Sequence, residues 1–120
     1  MFDITVEQVV SIHSKLLKEF GGLPGIKNKG LLESAIMSPQ QGYYEDEIEI
    51  IGAIVYGICS NHPFNDGNKR TAAVVGEYLL AVVNKKLIMT NDEYEKVIWE
   101  LADGKLSKEQ LIEIFRKNII

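Results

Sequence analysis

The sequence predicts an all-α protein, and three observations predict it. Three stretches carry the capping-box pattern: Thr5-Val6-Glu7-Gln8, Thr90-Asn91-Asp92-Glu93 and Ser107-Lys108-Glu109-Gln110. In each, a hydroxyl and a side chain three residues on satisfy N–H groups that a helix start leaves unpaired. Apolar residues then recur at helical spacing through most of the chain. Almost nothing reads as strand. The expectation is six helices packed around one buried central helix.

The elements follow in order. After Thr5, the residues Val6, Val9, Val10, His13, Leu16, Leu17 and Phe20 share one helical face. Gly21-Gly22 stops that helix by offering left-handed backbone. Residues 21–28 are turn-rich, and a short helix fits Lys29 to Met37. Pro39 disfavours helix at the residue before it. Residues 39–47 are polar and read as an exposed loop or short hairpin ahead of the third helix. Acids at Glu45, Asp46, Glu47 and Glu49 suit the positive end of that helix. Ile48, Ile51, Val55 and Ile58 form its apolar face, and it ends near Asn61. Gly52 and Gly57 each weaken it by about 1 kcal/mol relative to alanine, so close helix–helix approach explains them better than propensity. From Ala72 to Val83 the chain is almost wholly apolar, which predicts a buried helix and the central element, ending at Asn84. Leu87-Ile88-Met89 is a brief extended piece. The last two helices start at their boxes and close at Gly104 and about Asn118. Trp99 and Phe115 fall on apolar faces and are expected in the core, as is Cys59. His13 is expected as a hydrogen-bonded core histidine.

Composition excludes several function classes. The 120 residues, 46% of them apolar, suit one domain spanning 1–120 with a single core. One cysteine rules out an internal disulfide and a multi-cysteine metal site, and two histidines argue against a histidine-rich one. A net charge of −4 is a poor footprint for binding nucleic acid. No apolar run approaches the roughly 18–20 residues that span a bilayer. Met1-Phe2-Asp3-Ile4 has no basic region or apolar leader. The expectation is a cytoplasmic protein with no membrane contact.

Chemistry concentrates in His62-Pro63-Phe64-Asn65-Asp66-Gly67-Asn68-Lys69-Arg70-Thr71. A polar loop running into a helix start is an anion site, because the first N–H groups point at it and the macrodipole adds positive charge. Gly67 lets backbone approach a ligand, and Asn68, Lys69 and Arg70 add donors. Asp66 is an anion in an anion site, which makes sense if it binds Mg²⁺ that accompanies phosphates. His62 supplies an imidazole, a side chain suited to act as general base or acid. The set is built for phosphoryl or nucleotidyl transfer. Each residue alone has a plainer reading: Asp66 or Asn68 as a helix cap, Arg70 in a surface ion pair, His62 as an ordinary loop residue.

The segment His62 to Arg70 resembles the signature of the Fic/Doc family, His-x-Phe-x-Asp/Glu/Asn-Gly/Ala-Asn-Lys/Gly-Arg. The first helix, the Gly21-Gly22-Leu23-Pro24-Gly25 loop and Leu31-Leu32-Glu33-Ser34-Ala35 resemble its death-on-curing (Doc) branch. The resemblance implies a compact helical fold. It casts His62 as the base that activates a protein hydroxyl and Asp66 as the Mg²⁺ ligand. Gly67, Asn68, Lys69 and Arg70 become the nucleotide-phosphate site, and Phe64 the structural anchor of the loop. His62, Asp66 and Arg70 are then the catalytic set. Gln40, Gln41, Tyr43 and Tyr44 would form a target-binding flap.

Members that transfer AMP have glycine at the position of Lys69, and an arginine where this chain has Ala73. Both departures are shared with Doc-type kinases. The resemblance therefore implies transfer of the γ-phosphate of ATP, with Mg²⁺, to a Ser/Thr hydroxyl. The implied target is translation elongation factor Tu, whose modification arrests translation. The alternatives are a Fic-like AMP transferase and a degenerate module that only binds its partner. The family's inhibitory pattern, Ser/Thr-x-x-x-Glu-Gly/Asn, finds no match here. Restraint is then expected in trans, from a small antitoxin of a toxin–antitoxin pair.

Overall fold

The computed structural model describes residues 3–120; Met1 and Phe2, the start of the stretch read as leaderless, lie outside the described residues. The chain forms α1 (Val6–Phe20), α2 (Lys29–Met37), a 3₁₀ turn (Ser38–Gln40), α3 (Glu47–Asn61), α4 (Asn68–Val82), α5 (Asn91–Ala102) and α6 (Lys108–Lys117). The all-α class holds. Among the described residues the only β pairing is two isolated bridges, Ile26 with Phe64 and Leu87 with Ile119. The second accounts for the extended piece at Leu87–Met89, whose Ile88 N–H donates to Asn118 O.

All three capping boxes close as the sequence implies, at α1, α5 and α6. Two further caps were not singled out: Asn28 accepts from Leu31 N–H at the start of α2, and Asp46 from Glu49 N–H at the start of α3. Asp46 also takes Arg116 of α6 at 2.9 Å. That guanidinium, with the Glu49 N–H, holds the Asp46 carboxyl below its ordinary pKa.

The central helix is α3 rather than α4. Ten of its 15 residues are buried, including Ile50, Ile51, Ile54, Val55 and Ile58, and α2, α4, α5 and α6 pack around it. The apolar run of α4 is covered on one side by α3, while Glu77, Tyr78, Ala81 and Val82 face outward. An apolar run does not reveal which of its faces gets covered, since much of any folded surface is apolar. The glycine reading is right in mechanism. A Cβ on Gly57 would stand 2.8 Å from Ala35 Cβ of α2, and one on Gly52 would stand 2.5 Å from Ile112 of α6.

Phe115, Cys59 and His13 are in the core, and burial pushes the Cys59 thiol up to about 11. Trp99 is not in the core: it is 52% exposed. Residues 41–46 take the loop rather than the hairpin form.

Candidate active site

The loop from His62 to Gly67 joins α3 to α4, and left-handed residues bracket it. His62 closes α3 at φ 48°, ψ 57°, a region that histidine enters more readily than most non-glycine residues. Gly67 opens α4 at φ 75°, where a side chain would be strained.

Between them the loop is fastened from three directions. From below, Phe64 is wholly buried and stacks on His13 of α1, with ring centroids 3.8 Å apart and planes 8° from parallel. His13 Nε2 lies 2.8 Å from Asp66 O. A carbonyl can only accept, so Nε2 carries the proton and donates. From within, Asn68 clamps Phe64 twice: its Oδ1 accepts from Phe64 N–H at 2.9 Å and its Nδ2 donates to Phe64 O at 3.0 Å. From the side comes the loop after α1. Lys27 and Asn28 N–H donate to Pro63 O, Asn65 N–H donates to Gly25 O, and Asn65 Nδ2 donates to Pro24 O.

Asp66 is exposed and held in one orientation. Its Oδ2 accepts from Leu23 N–H at 3.2 Å and its Oδ1 from Gly67 N–H at 3.0 Å. These two bonds hold its carboxyl below the ordinary carboxylate value, so it is ionised at neutral pH.

α4 begins without a side-chain cap, whereas the other five α-helices each have one. Its start opens on a cavity of ≈ 680 Å³. The sequence-derived site residues His62, Asp66, Gly67, Asn68, Lys69 and Arg70 all line that cavity. Lys69 Nζ rests over the Trp99 ring, 4.6 Å from its centroid, and the Arg70 guanidinium over Phe20 at 4.2 Å. The Asn68 side chain is largely engaged by Phe64. Its contribution to an anion would come from its backbone N–H. Phe64, wholly buried, is not among the residues that line the cavity.

The opposite wall escaped the sequence reading. It is made by α5, through Asn91, Glu95 and Trp99 at four-residue spacing, facing Ala73 and Glu77 of α4. Tyr94 ties the two helices, donating from its hydroxyl to Ala73 O at 2.8 Å. Gly76 leaves room for that ring, since a Cβ there would lie 2.6 Å from the Tyr94 oxygen. Lys27 completes the cationic side. A four-residue period of polar and aromatic residues was the available signal for α5, and hydropathy alone assigned Trp99 inward instead.

None of Gln40, Gln41, Tyr43 and Tyr44 lines this cavity. Gln40 is a brace, bonding Ile4 N–H, Ile4 O and Ile36 O, and Gln41 donates to Met37 O. Tyr43 (82% exposed) and Tyr44 line a second cavity of ≈ 350 Å³, which reaches Asn61, the neighbour of His62. Lys108 donates to Tyr44 there.

On a loop with a buried anchor, an oriented carboxylate, an exposed histidine and an open helix start meet at one cavity of a helical domain, and sequence comparison gives its family. The model of the Fic/DOC family matches residues 3–80, and the chain belongs to that family. It is 33% identical over 76 residues to the protein kinase doc of Escherichia phage P1. That alignment covers 60% of this chain and 60% of the phage protein.

Proposed function

We propose that this chain is a Doc-type protein kinase, transferring the γ-phosphate of ATP to a Ser/Thr hydroxyl of a protein target. One observation carries the reading. His62, the ionised Asp66 and the uncapped start of α4 with Lys69 and Arg70 all face one cavity. A proton acceptor, a metal-binding acid and an anion cradle are the parts phosphoryl transfer requires. Lys69 in place of glycine and Ala73 in place of arginine favour γ-phosphate over AMP transfer. The name of the phage relative points the same way.

In the proposed reaction, His62 accepts the proton of the target hydroxyl. The hydroxyl oxygen bonds the γ-phosphorus as the bond to the β,γ-bridging oxygen breaks, and ADP leaves. The N–H groups at the start of α4, with Lys69 and Arg70, take up the charge on the phosphate oxygens. Among the described residues no group of three or more acidic, histidine or cysteine side chains could cage a metal ion. The donor set instead fits Mg²⁺, commonly held by one or two carboxylates, phosphate oxygens and water, with Asp66 as the carboxylate. The metal would supply charge neutralisation between the phosphates.

The proposed target is elongation factor Tu, with arrest of translation as the consequence. The proposed partner is a small antitoxin acting in trans. The test is incubation with that factor, Mg²⁺ and ATP labelled at the α- or the γ-phosphate. Retention of γ-label alone is expected. Retention of α-label would replace the kinase with an AMP transferase. No label on any protein of a cell extract, with no growth arrest on expression, would leave a binding module.

A further inference from the structure

His13 is a polar side chain where an apolar one would fit. It is 3% exposed, on the inner face of α1 between Val9 and Leu17 at four-residue spacing. A phenylalanine there could stack on Phe64 as the imidazole does. A buried polar ring is costly unless its nitrogens are bonded. What the imidazole adds is a donor: its Nε2–H reaches Asp66 O at 2.8 Å.

That bond reaches the carboxylate through one peptide plane. Asp66 O and the Gly67 N–H belong to the same rigid peptide unit. Fixing the oxygen therefore fixes where the N–H points, and that N–H donates to Asp66 Oδ1 at 3.0 Å. The His13 ring also lies along Gly67, where a Cβ would stand 3.6 Å from its Cδ2 and Nε2. Leu23, from the loop that follows α1, holds Oδ2 at 3.2 Å. Asp66 is thus held at all three of its oxygens. Each carboxylate oxygen accepts one bond and has lone-pair capacity left for a cation.

We propose that His13 is a positioning residue for Asp66, setting the 66–67 peptide and through it the carboxylate that would bind the divalent cation. This rests on the reading of Asp66 as metal ligand, and it adds a residue 53 positions away, outside the recognised motif. α1 and the loop after it then form the mount of the metal ligand, although neither carries a residue that would touch the metal.

The test is calorimetric titration of the whole chain with inorganic tripolyphosphate, with and without Mg²⁺, below the melting transition of every variant. His13→Phe keeps a ring against Phe64 and removes the donor. His13→Asn, whose amide ends one bond short, also removes the donor without making the site apolar. His13→Gln returns an N–H at the reach of Nε2. In wild type, Mg²⁺ should strengthen binding. His13→Phe and His13→Asn are expected to lose most of that strengthening, up to roughly ten-fold, since groups that orient a metal ligand carry effects of this size. Both should bind tripolyphosphate without Mg²⁺ as wild type does, and His13→Gln should recover most of the loss. Retention of the whole Mg²⁺ effect in either donor-less variant would overturn the proposal. So would equal losses with and without Mg²⁺, which mark a general distortion of the loop, or a His13→Gln variant no better than the other two. Each of these results leaves the transferase reading standing. A wild-type chain whose binding Mg²⁺ does not strengthen would take away the metal role of Asp66, and this proposal with it.

Discussion

Asn68 offers the sharpest test of how the site is built. As a phosphate ligand alone, its side chain would be dispensable for folding. In the structure it makes two hydrogen bonds to the backbone of Phe64, at 2.9 and 3.0 Å. Asn68→Ala removes both. Each such bond contributes about 1 kcal/mol net, and the Phe64 N–H left without a partner adds desolvation cost of similar size. Alanine's better helix propensity returns at most about 0.7 kcal/mol. The expected loss is therefore about 2 kcal/mol, or roughly 6–8 °C in Tm for a domain of this length. Asn68→Asp separates the two roles further. A negative charge in the first turn would stabilise an ordinary helix by about 0.3–1 kcal/mol. Here it replaces the donor to Phe64 O with a repelling oxygen, so that variant should also lose stability at neutral pH. Urea unfolding followed by circular dichroism measures both. An Asn68→Ala variant within about 0.5 kcal/mol of wild type, or a stabilised Asn68→Asp, would refute the clamp.

Three further outcomes are expected. Gly57→Ala should cost about 1–2 kcal/mol in urea unfolding, since its Cβ meets Ala35 Cβ at 2.8 Å and Ala35 Cα at 3.1 Å and can turn from neither; pairing it with Ala35→Gly should recover most of the loss, and no recovery would locate the strain elsewhere. His62→Gly should raise stability by up to about 1 kcal/mol by relieving a left-handed residue, while lowering transfer about 10²- to 10⁴-fold; retained transfer would take His62 out of the mechanism. The Asp66 pKa is depressed in the folded state, so its stabilising share is present above the ordinary value of 3.8 and lost as pH falls below it. Thermal melts across that range should therefore show a shallower acid limb for Asp66→Asn than for wild type, and parallel limbs would deny the Leu23 and Gly67 bonds that role.

Local features were legible in the sequence, and non-local ones were not. Capping boxes and helical periodicity act within four residues, so Thr5, Thr90 and Ser107 could be read directly. Gly52 and Gly57 were legible because propensity cannot explain glycine within a helix. The motif loop carried enough chemistry in ten residues to mark His62, Asp66 and Lys69 together. Which helix would be central depends on what covers each face, and the apolar run of α4 concealed an outward side at Tyr78 and Val82. Trp99 looked like core because one aromatic at helical spacing fits a buried stripe and a cavity wall equally. The bond from Leu23 to Asp66 arises from chain folding back over forty residues, and no short window of sequence contains it. The Asn68 clamp spans only four residues, but the residue types do not say which backbone groups its side chain takes.

The seam between the loop after α1 and the motif loop has a consequence for hydrogen exchange. Backbone amides in exposed loops ordinarily trade their hydrogens with water quickly. Here those of Leu23, Lys27, Asn28 and Asn65 are each engaged across the seam. They should be protected together and released together, as one cooperative opening unit. Because Leu23 grips the Asp66 carboxylate, their common exchange rate measures how often the site loses its shape. A partner that seats on this face would slow all four at once, and so would announce itself without any measurement of transfer.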